Sequence, residues 1–379
     1  MRAHETEILH VIGSFVAAGA ERFVGELATA LSEKGHSVGV AALSGRTDDV
    51  GRAMRSNLTD AGIFNAAAPT GPVRLRNTLW YARLLFFTRP RLIHLHTPNT
   101  DLAHYLARFV YRKRHGLFRT LHNISIPESK WYWHAIEHNP VSVSVACSMA
   151  VRDAMMSRVP GPIEVIQNGV SFNWPIRTEI ARRKYAEKLK LSPDKRHFLA
   201  VGRMSGTTLE SSAKGHDTLI RAWREIGMGE SGGLLHLLGD GELRPQLGNL
   251  ANGDPSILFH GVQSGIDDWL IGCDHFVMPS RREGLPIAGI EALGTGLPCI
   301  FSTIKPLREL GGDSAKWVEA GDVAGLARAM FDAVSAPREY PEELASRVRG
   351  DYSMANVARS YLECYQAYGY CVKECGPTR

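Results

Sequence analysis

The tightest constraint on this chain is an alternation. Short apolar runs of strand length recur along it, and nearly every one is followed by a longer segment of helical periodicity. That is the signature of a parallel sheet covered by helices on both faces. In the first half, strands are expected at 6–12, 37–43, 92–96, 118–122, 143–146 and 164–166. The alternation pauses at 168–179, NGVSFNWPIRTE, where Gly, Pro and polar residues leave no period. After a helix expected at about 178–189 it restarts with HFLAVG, LLHLLG, ILFHG, HFVMPS, LPCIFS and AKWVEA. At 379 residues the chain exceeds the length at which one core usually keeps growing. The expected fold class is therefore α/β with two Rossmann-like, doubly wound domains, 1–170 and 171–352. A final amphipathic helix at about 353–370 follows the last strand and is expected to pack back on the first domain. Open sheets of this kind bind ligands outside the carboxyl ends of their strands, so a ligand cleft is expected between the two domains.

Composition narrows the function classes. The formal charge is +5, and its Lys and Arg are spread along the chain, which does not indicate nucleic acid. No apolar run reaches the length of a membrane span. The apolar stretch ILHVIGSFVAAGA ends in small residues like a secretory signal, but Glu5 and Glu7 stand where a signal carries positive charge, and the segment runs directly into an amphipathic helix. Cys147, Cys273, Cys299, Cys364, Cys371 and Cys375 form no CxxC pair, which fits a reducing cytoplasm.

The stretch PSRREGLPIAGIEALGTGLPCI places Glu283 and Glu291 eight positions apart. Glu283 lies in the loop after a strand, Pro286 sits where a first helical turn tolerates proline, and Glu291 is inside the helix. Eight helical residues span about 12 Å, too far for the paired carboxylates of a glycoside hydrolase. The spacing suits two grips on one extended ligand, with the backbone N–H groups of Gly284, Leu285 and Ile287 at a helix N-terminus for an anionic group between them. From spacing alone, a solvated loop glutamate and a surface helix glutamate are the better explanation.

This stretch closely resembles the signature of the family four retaining glycosyltransferases of GT-B fold, a Glu, seven residues and a second Glu, followed by Ala and a Gly-x-Pro turn. HVIGSFVAAGAERFVGELATAL, LIHLHTPN, TLHN, VIQNGV, AVGRM, AKGHDTLIRAW, LLGDGELRPQL, FHGV and EAGDVAGLARAM match in the same order. The resemblance implies that Glu283 contacts a donor sugar and Glu291 a nucleotide ribose. It implies that Arg203 and Lys214 neutralise the donor diphosphate, and that His122 faces the sugar from the first domain. Fixed cations there would stabilise the charge that develops on the leaving phosphate. The resemblance further implies donor binding at Gly19, at the start of the first helix, and at Val262, near where the base is expected to be read.

Three departures matter. The loop between the two cations, MSGTTLESSA, is longer than usual, and Lys214 is expected to engage only when that loop closes over the donor. Ala18 precedes Gly19 where Gly-Gly is usual, which alters the shape of that loop. No Asp-x-Asp occurs, so metal-independent neutralisation by Arg and Lys is expected, with no cofactor. His94 and His96 are expected to shape the cleft; with no third ligand at metal spacing, no metal site is assigned.

The expected activity is transfer of a sugar from a nucleoside diphosphate sugar to an acceptor hydroxyl with retention, by front-face attack. The acceptor is a small molecule or a lipid-linked glycan intermediate. Two alternatives stand beside it: a GT-B nucleotide-sugar 2-epimerase and an inactive partner subunit. Basic and aromatic clusters in the first domain, with Trp131 and Trp133 foremost, raise the expectation of a peripheral contact with the inner face of the membrane. Amphipathic helices packed on the sheet explain those clusters equally well.

Overall fold

The computed structural model describes residues 6–69, 75–124 and 128–370. The chain divides into two compact units, Met1–Ser171 with Met354–Arg379, and Phe172–Ser353.

The first unit holds a parallel sheet of seven strands: β1 (Ile8–Phe15), β2 (Val38–Thr47), β3 (Phe64–Ala67), β4 (Leu92–Leu95), β5 (Gly116–Leu121), β6 (Val143–Ala146) and β7 (Ile163–Val165). They lie in the order β3-β2-β1-β4-β5-β6-β7. The chain winds outward from β1 in one direction and from β4 in the other, so the topological switch point falls between β1 and β4. β4, β5 and β6 are buried along their whole length, as strands covered on both faces must be. The helix Gly19–Glu33 covers the sheet with a stripe of Phe23, Val24, Leu27, Ala28 and Leu31. The helix Met354–Ala367 belongs to this unit and buries Tyr361 and Tyr365 completely.

The second unit holds six parallel strands: β8 (Arg196–Val201), β9 (Gly233–Leu238), β10 (Ile257–Gly261), β11 (His275–Met278), β12 (Cys299–Ser302) and β13 (Ala315–Val318). Their order is β10-β9-β8-β11-β12-β13, with the switch point between β8 and β11. Both sheets are thus Rossmann-like and doubly wound. The core under β8 and β9 is built around Trp223, Phe198, Leu219, Leu235 and Leu237, all fully buried. Trp223 Nε1–H is not stranded there, because it donates to Ser256 Oγ at 2.9 Å.

Sequence periodicity misses β3. Its residues FNAA are short, half-buried and Ala-rich, and an edge strand receives no continuous apolar signal. β2 also runs on to Thr47, past the apolar run, because its polar end still pairs with β1 at Phe15. The helix expected at 178–189 spans Glu179–Lys188, with Thr178 as N-cap accepting from the Ala181 N–H at 3.1 Å.

Candidate active site

The second unit places Arg203, Lys214 and Glu283 beside its switch point. Gly202 and Arg203 follow β8 directly, and residues 279–283 follow its sheet neighbour β11. Close backbone packing shapes this edge. A Cβ on Gly239 would stand 2.0 Å from the Gly202 carbonyl oxygen, and one on Gly241 would stand 2.3 Å from that of Met204. Only glycine lets these loops touch.

Lys214 Nζ donates to Glu283 Oε1 at 2.8 Å and to Oε2 at 3.0 Å. Ser280 Oγ adds a bond to Oε1 at 2.7 Å. Glu283 is only 8% exposed, while the Lys214 side chain keeps 27%, so the carboxylate is sunk and its cation reaches the surface. The backbone that delivers Lys214 is held by Gly215, at φ +66° and close against the Pro279 carbonyl. Beside it, Arg281 makes a two-pronged pair with Asp217, at 2.7 and 2.8 Å, and also donates to Thr218 Oγ1.

The long loop between the cations is internally bonded. Ser211 Oγ accepts from the Thr208 N–H at 3.0 Å and donates to the Thr208 carbonyl at 2.9 Å. The Ala213 carbonyl accepts from the Arg281 N–H at 2.7 Å, and Arg282 Nη2 donates to the Ser211 carbonyl at 2.8 Å. Lys214 is bonded to Glu283 while the loop is held in this way. The sequence carries the components, in AKGHD and PSRREG, but not the pairing, because the partners lie 69 residues apart.

Glu291 lies in the helix Ile287–Thr295 and is 1% exposed, so it is not the solvated helix glutamate that spacing alone would allow. Its carbonyl accepts from Thr295 Oγ1 at 2.7 Å. Pro286 is the N-cap of this helix rather than its first residue. Leu285 and Ile287 are buried, and Gly284 and Leu285 take part in further interactions within the protein. Arg203 is exposed, and Val262, just past the end of β10, is 46% exposed. Ser280, Asp217 and Arg281 escape sequence reading, since each is an ordinary polar residue until the fold pairs it.

In the first unit, Gly19 is exposed at the start of its helix, and the loop before it is pinned by the Ala17 N–H donating to Asp48 Oδ2 at 2.8 Å. His122 follows β5, half-buried, with its ring against the edge of Phe23 at 5.7 Å. Behind it stands a cluster that the sequence does not suggest. His10 in β1 is the register partner of His94 in β4, and His96 follows two residues on. Nitrogens of His10, His94 and His96 lie within 4.8 Å of one another, which corrects the expectation that no third ligand stands near His94 and His96.

The arrangement is nonetheless a set of hydrogen bonds. His10 Nδ1 is 2.9 Å from His96 Nε2, and His96 Nδ1 is 3.1 Å from His122 Nε2. His94 uses both nitrogens elsewhere, toward Tyr365 Oη at 2.6 Å and Thr120 Oγ1 at 2.8 Å. Its ring stacks on His96 at 4.4 Å with 15° between planes. Burial pushes His10 down to about 3 and His122 down to about 4. Burial, with the neighbouring His10 and His122, holds His94 well below its ordinary value.

Of the expected membrane-facing pair, Trp131 is 72% exposed, whereas Trp133 is covered by the guanidinium of Arg158 at 4.2 Å. Among the described residues, no helix is long and apolar enough to cross a membrane. Cys147, Cys273, Cys299 and Cys364 are buried free thiols, and Cys371 and Cys375 lie outside the described residues.

Residues 17–174 match the family model described as Glycosyltransferase Family 4, and residues 195–335 match the one described as Glycosyl transferases group 1. The chain is 28% identical over 155 residues to the lipopolysaccharide core biosynthesis mannosyltransferase LpsB of Rhizobium meliloti, a match covering 38% of this chain and 43% of that protein. It is 27% identical over 252 residues to glycogen synthase of Mycobacterium tuberculosis, covering 62% of this chain and 57% of that one. The chain thus matches about half the length, or less, of these curated relatives. Among solved structures, Anabaena HepE in complex with UDP and glucose superposes with a TM-score of 0.79 at 17% identity, over 96% of this chain and 100% of that one. Sucrose-phosphate synthase from Thermosynechococcus elongatus superposes at 0.76 with 16% identity, over 96% and 99%. Two doubly wound sheets and the superposition on these structures give the chain the GT-B fold, with one glycosyltransferase family model matching on each side of the linker.

Proposed function

We propose that this protein is a retaining, metal-independent glycosyltransferase that moves a sugar from a nucleoside diphosphate sugar to an acceptor hydroxyl. The observation that carries the reading is the Lys214–Glu283–Ser280 constellation beside the switch point of the second sheet, where open α/β folds take their ligands. Arg203, exposed after β8, and Lys214 are the cations for the donor diphosphate, and their fixed charge would lower the barrier to breaking the anomeric bond. Glu283 orients the sugar and Glu291 anchors the ribose. Val262 and residues 284–287 complete the donor contacts of the second unit, and Gly19 and His122 are the substrate-facing groups proposed for the first.

The bonding of Glu283 favours this role over that of a covalent nucleophile. Both of its oxygens accept from Lys214 and one also from Ser280, which leaves a carboxylate stabilised as a hydrogen-bond acceptor. Retention is then best explained by front-face attack, with the leaving phosphate taking the acceptor's proton. A bacterial cell-surface glycan intermediate, lipid-linked or free, is the acceptor class supported by the similarity to LpsB. A uridine diphosphate sugar is the first donor to try, because UDP and glucose occupy the similar HepE structure.

A thermal-shift panel of nucleoside diphosphate sugars tests the reading, since a ligand bound only by the folded state raises apparent stability. One donor should raise the midpoint and release its nucleoside diphosphate only when an acceptor is added. Conversion of the donor to an epimer without acceptor would overturn the transferase reading. No response to any donor would count against both.

A further inference from the structure

We propose that His10 and His96 form a chain of neutral imidazoles that sets the tautomer of His122, so that His122 presents its Nδ1–H at the carboxyl edge of the first sheet. The inference rests on the reading of His122 as a sugar-facing group, and it adds two positioning residues that touch no substrate.

The chain has two links, His10 Nδ1 to His96 Nε2 at 2.9 Å and His96 Nδ1 to His122 Nε2 at 3.1 Å. A neutral imidazole has one donor nitrogen and one acceptor nitrogen, so neutral rings linked in series must all run the same way. The rings are held neutral by burial, which lowers His96 well below its ordinary value, as it does His10 and His122. Only two directions then exist. If His122 donates inward, His96 Nε2–H donates to His10, and His10 must carry its remaining proton on Nε2. That atom is buried and has no partner among the described residues. If His10 donates outward instead, the same atom is a bare lone pair. An orphaned buried N–H is rarer than an orphaned acceptor, and the outward direction is the one that avoids it.

The surroundings keep the chain from choosing otherwise. His94 stacks on His96 but spends its nitrogens on Tyr365 and Thr120, so it offers the chain neither a donor nor an acceptor. Phe23 meets the His122 ring at 68°, which restrains its plane. His122 therefore ends the chain with Nε2 occupied and Nδ1–H as a hydrogen-bond donor, the form suited to a sugar hydroxyl oxygen.

The test is a long-range 1H–15N correlation on the full chain labelled with 15N-histidine, with His122→Asn identifying the His122 signals. His122 should appear as a single Nδ1–H tautomer in the parent. His10→Phe should mix or reverse that tautomer, and His10→Asn, whose amide occupies the Nδ1 position, should restore it. With a donor in hand, His10→Phe should lower kcat about tenfold while donor KM stays within about twofold, and His10→Asn should recover the loss. An Nε2–H tautomer of His122 in the parent would overturn the proposal, as would an unchanged His122 in folded His10→Phe. So would stoichiometric binding of zinc that His10→Phe abolishes, since a metal would consume the chain's lone pairs. If the parent turns over no nucleotide sugar, the glycosyltransferase reading fails while the spectrum of the parent still decides the tautomer.

Discussion

Lys214 Nζ holds both carboxylate oxygens of Glu283, at 2.8 and 3.0 Å, and so joins the loop after β8 to the loop after β11. The pair spans the two strands that flank the switch point, which makes it the pivot of the candidate donor site. Replacing Lys214 by Met leaves Glu283 with Ser280 as its remaining side-chain donor in this constellation. Turnover with the donor should fall by about 10²-fold or more, the usual cost of removing a charge aimed at the leaving group. Steady-state kinetics check it, and parental kcat in Lys214→Met would detach this pair from the chemistry.

The two glutamates should fail differently. Glu283→Ala removes a group assigned to the sugar and should act mainly on kcat, whereas Glu291→Ala removes a ribose anchor and should act mainly on donor KM. Measuring both constants for both variants separates the roles, and the reverse pattern would exchange them.

Gly215 is a sharper probe of placement than Lys214 itself. Its φ of +66° and the Pro279 carbonyl, 2.2 Å from where a Cβ would stand, leave no room for a side chain. Gly215→Ala should cost about 1–2 kcal/mol in backbone strain alone and displace Lys214. Urea denaturation should report that loss, together with reduced turnover in a chain that retains its Lys.

Asp274 is the buried charge on which the base of the second unit depends. It accepts from Arg182 and Arg338, both at 2.8 Å, and from the His197 N–H at 3.0 Å, with Arg177 at 3.6 Å. Asp274→Asn strands these cations and should destabilise the unit by about 3–5 kcal/mol in denaturant titration. A loss under about 1 kcal/mol would mean that the cluster is not load-sharing.

Acid should weaken the fold in two stages. Burial lowers His10, His104 and His236 to about 3, and His122, His216 and His275 to about 4, with nearby charges modifying several of them. Between those values and about 6.5 the unfolded chain binds more protons than the folded one, so stability is complete above about 6.5 and falls as pH drops toward 4. For Asp274, burial alone would raise the pKa, but bonds from Arg338 and the His197 N–H and the charge of Arg182 pull it down to about 2. Its contribution is present above its unfolded value of 3.8 and disappears as pH falls toward 2. Denaturant midpoints from pH 8 to 3 should decline most steeply below about 6.5, and a flat profile between 8 and 4.5 would contradict the buried neutral histidines.

Much of the fold was legible because fully buried parallel strands and amphipathic helices carry strong periodic signals. HFVM, CIFS and LIHL are short, mostly apolar segments buried along their whole length and became β11, β12 and β4. FNAA carries no such run, and its pairing with β2 comes only from the sheet. In the candidate site, Glu283 and Glu291 stood out by spacing, and Arg203, Lys214 and His122 by family resemblance. Ser280 and Asp217 carried no signal of their own, since their importance lies in partners remote in sequence.

Local order is what the sequence determined by itself: which segments are strands, where the alternation breaks, and which charged residues fall at strand ends. Those depend on periodicity and backbone preference within a dozen residues. Only the tertiary structure decided that Lys214 and Glu283 are one bonded pair, that both glutamates are buried, and that His10, His96 and His122 line up nitrogen to nitrogen. Strand order sets these relationships, because the sheets bring β1 beside β4 and β8 beside β11, strands that do not follow one another in the chain, and hydrogen bonds form between groups a few ångströms apart regardless of their separation in sequence.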